Sequence, residues 1–353
     1  MKYHTFYVTR YMGAKYKLLD FIVPVLLDLC EENLPVIDLM AGTHAVGYAL
    51  KSQRKIISCD VQFYSKIFGE TLIQNNQISN VKDRWELDFA DISFIDSEHN
   101  WFVKKYANSY FSHAQCVQIA AIRARIKEIS DPILRSIYLT CLAYSMSLCQ
   151  SSSGHFAQYL PESNPRTLVL RNMDLFNAFK DRCSDFEIEL GNFKNEVFNM
   201  ESSLFLKSHQ NTALMPPGSV VYLDPPYSPA QYSRYYHLLE TVFLDDDPDI
   251  SFKGLYRSDR YQSDFCSSKS APAAFEDIIR ICSDSSWNLV ISYASSGVVS
   301  PDLLLQICQK FFPNAFIKRQ KYSHSTQGRG EIRSIDELLI ICSKTKNEAD
   351  FQL

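Results

Sequence analysis

The segment "VIDLMAGTHAVGYALKS" (36–52), followed by "KIISCD" (55–60), constrains the fold more than any other part of the chain. A short apolar run, a turn at Ala41-Gly42-Thr43 and a helix-length stretch lead into a second apolar run that ends on an acid. Strand, helix and strand at this spacing open a parallel α/β sheet, because the helix must cross back over the sheet before the second strand can pair. Further strands are expected at Glu196–Asn199, Ser219–Leu223, Asn288–Tyr293, Ala315–Tyr322 and Ile335–Cys342. Only "SHSTQGRGE" separates the last two, too little for a crossover helix, so they should form an antiparallel hairpin at one sheet edge.

Residues 116–150 follow another period. Ile119, Ile122, Ile126 and Ile129, then Leu134, Ile137, Cys141, Tyr144 and Leu148, recur every three or four positions, which predicts two amphipathic helices inserted between early and late strands. In "YMGAKYKLL" a loop precedes another helix, with Pro24 kinking that helix or marking its regular start. A chain of 353 residues with 46% hydrophobic content can bury a full core. The polar stretch around 82–100 suggests a boundary that gives three parts, 1–95, a helical insertion over 96–185 and 186–353; the helix pair reads by default as core packing, with a lid or a substrate-recognition region as the alternatives.

The formal charge of −4 gives no global basic field, so a polyanion would have to be met by local patches. Residues 101–135 hold six Lys/Arg against Glu128 and Asp131, and 308–333 hold six against Glu331 alone. Either patch reads equally well as a solvated face or as a phosphate-contacting surface. The ten cysteines are scattered through apolar runs with no Cys-x-x-Cys spacing, which suits small buried hydrophobes in a reducing compartment. The histidines show no ligand spacing and no metal is expected. No stretch resembles a signal peptide or a membrane span, so the cytoplasm is the expected location.

The turn after the first strand presents backbone N–H groups and a helix start, and an acid ending the next strand can bond ribose hydroxyls. Asp38, Gly42 and Asp60 occupy those places, although His44 stands where a dinucleotide fingerprint has its second glycine, which argues against a pyrophosphate. A second constellation follows "VVYL". In Asp224-Pro225-Pro226-Tyr227 the prolines stiffen the segment and remove two N–H donors, leaving acceptors exposed. The Asp224 carboxylate and the Pro225 carbonyl can both accept from one NH2 group, while the Tyr227 ring offers a flat surface for a heterocycle. Gripping both amine hydrogens frees a lone pair otherwise delocalised into the ring, so the carboxylate acts as an aimed acceptor.

"YMGAK" (11–15), "DLMAGTHAVG" (38–47) and "DPPY" (224–227), in that order, resemble the alpha-class adenine-specific DNA methyltransferases. "SSGHFAQYL" (152–160), "YSRYYHLLET" (232–241), "GLYRSDRYQSDF" (254–265), "ISYASSG" (291–297), "HSTQGRG" and "DELLII" look like blocks of one bacterial subfamily, and the resemblance covers most of the chain. It implies a Rossmann-like S-adenosylmethionine-dependent methyltransferase sheet, mostly parallel with an antiparallel C-terminal hairpin, plus a helical insertion. It implies that Tyr11, Gly13, Lys15, Asp38 and Gly42 hold S-adenosylmethionine, that Asp60 binds its ribose, and that Glu201, with Asp88 as competitor, lies near its adenine. Asp224, Pro225, Pro226 and Tyr227 would form the catalytic loop.

Such a loop reaches a base only after it is flipped from double-stranded DNA. Tyr232, Arg234, Tyr235 and His237, then Arg257 and Arg260, are candidate DNA contacts, as are His324, Arg329 and Arg333 on the C-terminal hairpin, while Asp245–Asp247 and Asp249 should face away from phosphate. A restriction endonuclease or another defence-system protein is a conceivable partner. Methylation of a base amine in structured RNA, or a non-catalytic nucleic-acid-binding subunit, are the alternatives, and a nicotinamide dehydrogenase is the weakest reading.

Overall fold

The computed structural model describes residues 3–97, 99–323 and 334–351. Seven of its strands form one sheet. They are β1 (Val36–Leu39), β2 (Ile56–Asp60), β3 (Glu196–Asn199), β4 (Val220–Leu223), β7 (Asn288–Ala294), β8 (Asn314–Ser323) and β9 (Ser334–Ser343), while β5 (Ile250–Ser251) and β6 (Tyr256–Arg257) make a separate small hairpin. The sheet order is β3-β2-β1-β4-β7-β9-β8. The first five strands run parallel, and β9 pairs antiparallel with both β7 and β8. This is the mostly parallel sheet with an antiparallel C-terminal hairpin that the spacing of the apolar runs predicts.

Side chains alternate across the sheet as the pleat requires. Val36, Ile56, Val220, Tyr222, Val290, Leu339 and Ile341 face one core, against helices Leu19–Leu29, His113–Glu128 and Pro132–Cys149. Ile37, Leu39, Ile57, Val221, Leu289, Ile291 and Ile340 face the other, against Ser202–His209, Ala271–Asp284 and Pro301–Phe311. With both faces covered, the central strands β1, β4 and β7 have no solvated side, and for this reason they read as continuous apolar runs.

The two helices expected in 116–150 occupy His113–Glu128 and Pro132–Cys149, between β2 and β3. Ser112 and Gln115 form a reciprocal cap at the start of the first, and Asp131 caps the second with Pro132 in its first turn. Their apolar residues join the same core that backs the sheet. Pro24 lies inside helix Leu19–Leu29 and does not mark its start. All ten cysteines are free and buried, as small hydrophobes are. Among the described residues, no helix is long and apolar enough to cross a membrane.

Candidate active site

Strand order reverses between β1 and β4: from β1 the chain moves outward to β2, and from β4 outward to β7. Crevices at the carboxyl ends of strands flanking such a switch are where ligands bind in open α/β sheets. Here a cleft with about 1000 Å³ of space, open solvent included, sits at that point. Its walls include Tyr11, Gly13 and Lys15 from the N-terminal block, Asp38 and Gly42 around the first turn, Asp60 at the end of β2, and Asp224 through Tyr227 behind β4. Three blocks far apart in sequence thus converge on one cavity.

The turn after β1 is tight. Met40, Gly42 and His44 all have left-handed backbone, with φ of 60°, 53° and 58°. A side chain at Gly42 would meet the Tyr11 hydroxyl at 3.2 Å, so glycine is needed there on both conformational and spatial grounds. The Asp60 carboxylate accepts from Gly42 N at 2.9 Å and from Gln62 N at 2.8 Å, which locks the turn while each oxygen keeps a lone pair for a ligand. Asp38 is buried and accepts from Gly47 N at 3.1 Å, and burial pushes its carboxyl up to about 8.

His44 has no part in the cleft wall. Its ring is fully buried, with Nε2 at 2.8 Å from the Ser65 carbonyl, and burial lowers its pKa to about 4, so the imidazole is neutral. Gly69 makes the room for it: a Cβ there would lie 2.7 Å from His44 Cε1. The departure from a glycine-rich fingerprint therefore leaves the cavity side of the turn open.

The carboxylate of Asp224 is held by a buried cation. Lys15, only 5% exposed, places Nζ 2.8 Å from Asp224 Oδ1, 3.7 Å from Glu337 Oε1 and 3.2 Å from the Gly13 carbonyl. Burial alone would lower the ammonium's pKa, but the two acids outweigh it and hold the group charged. Burial pushes Asp224 up to about 6; Lys15 opposes that rise and Glu337 adds to it. Asp224 is thus mainly ionised at neutral pH. Lys15 Nζ also lies 5.8 Å from the centre of the Tyr227 ring, and Val298 N donates to the Tyr227 carbonyl at 3.1 Å, fixing the far end of the loop.

Several participants escape a reading of the sequence. Glu337 and Ser292 lie within the "DELLII" and "ISYASSG" blocks, yet nothing in those blocks points to the site. Tyr236 stacks on Tyr11 at 4.2 Å between ring centres and receives Met12 N at 2.6 Å, and Tyr261 and Ser263 line the cleft. Glu240 accepts from Phe63 N and Tyr64 N, the first helical residues after Asp60; burial pushes it up to about 7. The aromatic density of "YSRYYHLLET" is the signal that could have found Tyr236.

Other expectations need correction. Glu201 is not a wall residue: its carboxylate caps helix Ser202–His209 through Leu204 N at 2.8 Å, while Met200 and Ser202 face the cleft. Asp88 accepts from the Tyr138 hydroxyl at 2.6 Å and is not in the cleft either. His237 is buried, with Nε2 at 2.9 Å from the Phe156 carbonyl and a pKa lowered by burial to about 3, so it cannot present a cation to phosphate. Arg257 is also buried, its guanidinium bonded to Asp246 at 2.6 and 2.7 Å and to Asp259 at 2.9 and 3.1 Å. An arginine so occupied is a structural clamp.

Tyr232 lines the cleft, and Arg234 and Arg260 flank residues that do, Ser233 and Tyr261. Ser233 Oγ donates to the Tyr261 carbonyl at 2.6 Å, tying the two segments together. Arg234 lies over Tyr235, whose ring is tilted against that of His155 at 4.5 Å between centres, and Arg260 lies over Tyr256. The Nε donors of both arginines are buried without a partner. His324, Arg329 and Arg333 lie outside the described residues. In the basic patch 101–135, Lys105, Arg123 and Lys127 pair with Asp247 and Asp245, and Arg125 pairs with Glu128, so four of its six cations are engaged internally.

Comparison with known proteins agrees with this geometry. The chain is 24% identical over 366 residues to the modification methylase LlaI of Lactococcus lactis subsp. lactis, covering 95% of this chain and 55% of that protein. It is 24% identical over 313 residues to the Type II methyltransferase M.FokI of Planomicrobium okeanokoites, covering 82% of this chain and 45% of the relative. Thus the chain spans about half the length of these two relatives. Against the Type II methyltransferase M.NlaIII of Neisseria lactamica it is 25% identical over 358 residues, covering 95% and 99% of the two chains. The model of one family matches residues 11–288, from the tyrosine of the N-terminal block to the first residue of β7, with Asp224 inside the match. The chain belongs to the D12 class N6 adenine-specific DNA methyltransferases.

Proposed function

We propose that this chain transfers a methyl group from S-adenosylmethionine to the exocyclic amine of an adenine flipped out of double-stranded DNA. The observation that carries this reading is Asp224, held at 2.8 Å by the buried Lys15 at the mouth of an aromatic-walled cleft. S-adenosylmethionine, when bound, supplies an electrophilic methyl carbon on a sulfonium. The residues present fit it: Asp60 keeps acceptor capacity for ribose hydroxyls, the turn at Gly42 leaves the cavity side free of side-chain bulk, and Tyr11 packs over that turn.

Asp224 and the Pro225 carbonyl accept the two hydrogens of the amine, and the Tyr227 ring supports the base plane. Lys15 keeps Asp224 ionised and aimed, so the arrangement is set before the base arrives. Asp224 faces the nitrogen as it takes the methyl carbon and becomes cationic, the C–S electron pair being left on sulfur, and accepts the proton that the nitrogen sheds.

Arg234 and Arg260, each with an unpartnered buried donor, and Tyr232 at the cleft wall are read as the grip on the DNA backbone and the flipped nucleotide. The insertion over 96–185 is read as a brace for this surface, since Phe156 N donates to the Tyr235 carbonyl at 2.8 Å. The names of the relatives, a modification methylase and a Type II methyltransferase, support a restriction-modification setting, for which we propose the cytoplasm as the location and a separate nuclease as the partner. The test is incubation with labelled S-adenosylmethionine and unmethylated duplex DNA or structured RNA, followed by mass spectrometry of the nucleosides. N6-methyladenine in the DNA is the expected product; label confined to RNA or to another base contradicts the reading.

A further inference from the structure

A second carboxylate reaches this site from the opposite end of the chain. Glu337 sits on β9, opposite Ala294 of β7, and is 3% exposed. Its Oε1 lies 3.7 Å from Lys15 Nζ and accepts from Ser292 Oγ at 2.8 Å. Lys15 already has Asp224 at 2.8 Å, so Glu337 is not needed to neutralise it. Burying one more negative charge than the cation can balance is costly, and a neutral residue of the same shape would avoid that cost.

The cost has a use in the methyl transfer proposed above, and this inference rests on that reading. The attacked nitrogen passes from neutral to cationic as its lone pair forms the C–N bond. An Asp224–Lys15 pair alone would face that nitrogen with almost no net charge. We infer that Glu337 is a positioning residue: by sharing the Lys15 ammonium it leaves the triad with one net negative charge, directed at the nitrogen through Asp224. The other groups around the triad do not supply that charge. Tyr222 and Tyr227 are held protonated by burial, Ser292 is neutral, and Asp38 is bonded to Gly47 N and has its carboxyl pushed up by burial.

The test is Glu337→Gln, which keeps the acceptor for Ser292 and removes only the charge. The single-turnover rate at pH 8 should fall about tenfold, the equivalent of one pKa unit of interaction. Affinities for S-adenosylmethionine and duplex DNA should stay within about twofold. The acidic limb of the pH–rate profile should move to lower pH, because a like charge beside Asp224 is gone. An unchanged rate and limb, or a loss wholly in affinity, overturns the inference. Ser292→Ala serves if that variant does not fold: a fall of about threefold in single-turnover rate is expected from the lost hydrogen bond, and no fall overturns the inference. Wild type that methylates no adenine in DNA overturns this inference and the proposed function together, whereas an active wild type with an equally active Glu337→Gln overturns the inference alone.

Discussion

Two buried cations in this molecule, Lys15 and Arg257, each stand between two acids. The side chain of Lys15 is 5% accessible, with those of Asp224 at 20% and Glu337 at 4%. Arg257 is 4% accessible, but its partners Asp246 and Asp259 are 41% and 66% accessible. At Arg257 a planar fork spends four of its five N–H donors on carboxylates that stay in contact with water, a stable arrangement with little left to offer a ligand. At Lys15 a compact point charge meets two carboxylates largely stripped of water, of which Asp224 opens on the cleft and Glu337 lies behind the cation. The first cluster clamps a hairpin to the loop after helix His237–Leu244, and the second keeps unsatisfied electrostatic capacity where a substrate would sit.

The largest predicted effect breaks the second cluster. Lys15→Met leaves two buried acids without a cation, and denaturant melts should show a loss of about 3–5 kcal/mol. Turnover should drop at least about a hundredfold, because Asp224 would take up a proton near neutral pH. Arg257→Met is the contrasting case. Its acids can return to water, so the expected cost is about 1–3 kcal/mol, with turnover within about twofold of wild type once folding is secured. Equal losses of turnover in the two variants would erase the distinction.

pH separates the clusters again. The folded-state pKa values of Asp38, Glu240 and Asp224 are raised to about 8, 7 and 6, above the ordinary carboxylate range. At these three groups the folded chain therefore binds more protons than the unfolded one between about pH 4 and pH 8, whereas the buried, neutral His44 and His237 oppose this below about pH 6.5. The stability the three carboxyl groups contribute is fully present below about pH 4 and is lost as pH rises through their folded values. Urea melts of wild type at pH 5 and pH 8 should show that decline, and Asp38→Asn should flatten it. Asp246, whose hydrogen bonds to Arg257 hold its pKa below the ordinary value, contributes in the opposite sense. The methyl-transfer rate should rise through about pH 6 as Asp224 ionises.

The smallest effect belongs to a pair at the surface. Lys127 is 72% accessible and lies 3.6 Å from Asp245, so Lys127→Ala should change stability by less than about 0.5 kcal/mol in the same melts. A larger change would mean that the acidic run at 245–247 is more tightly organised than its exposure implies.

What could be read beforehand follows from distance along the chain. The sheet was legible because each strand is a local apolar run, and the catalytic loop because two prolines beside an acid and a tyrosine carry their stereochemistry in four adjacent residues. The convergence of Lys15, Asp224 and Glu337 was only half legible. An acid inside β9 reads as a strand-edge charge until β9 is seen paired beside β7 at the sheet's carboxyl end. His237 and Arg257 looked like phosphate contacts because composition does not show which acids or carbonyls fold back on them: Asp246 is eleven positions from Arg257 in the sequence and bidentate with it in space. His44 looked like an obstruction because its room is made by Gly69, one helix away.

The most direct test of the account is a single-turnover comparison of wild type and Asp224→Ala on unmethylated duplex DNA with labelled S-adenosylmethionine, with DNA affinity measured in parallel. Wild type should yield N6-methyladenine, the variant should react at least about a thousandfold more slowly, and the two should bind DNA within about threefold of each other. An Asp224→Ala variant that methylates adenine at the wild-type rate would contradict this.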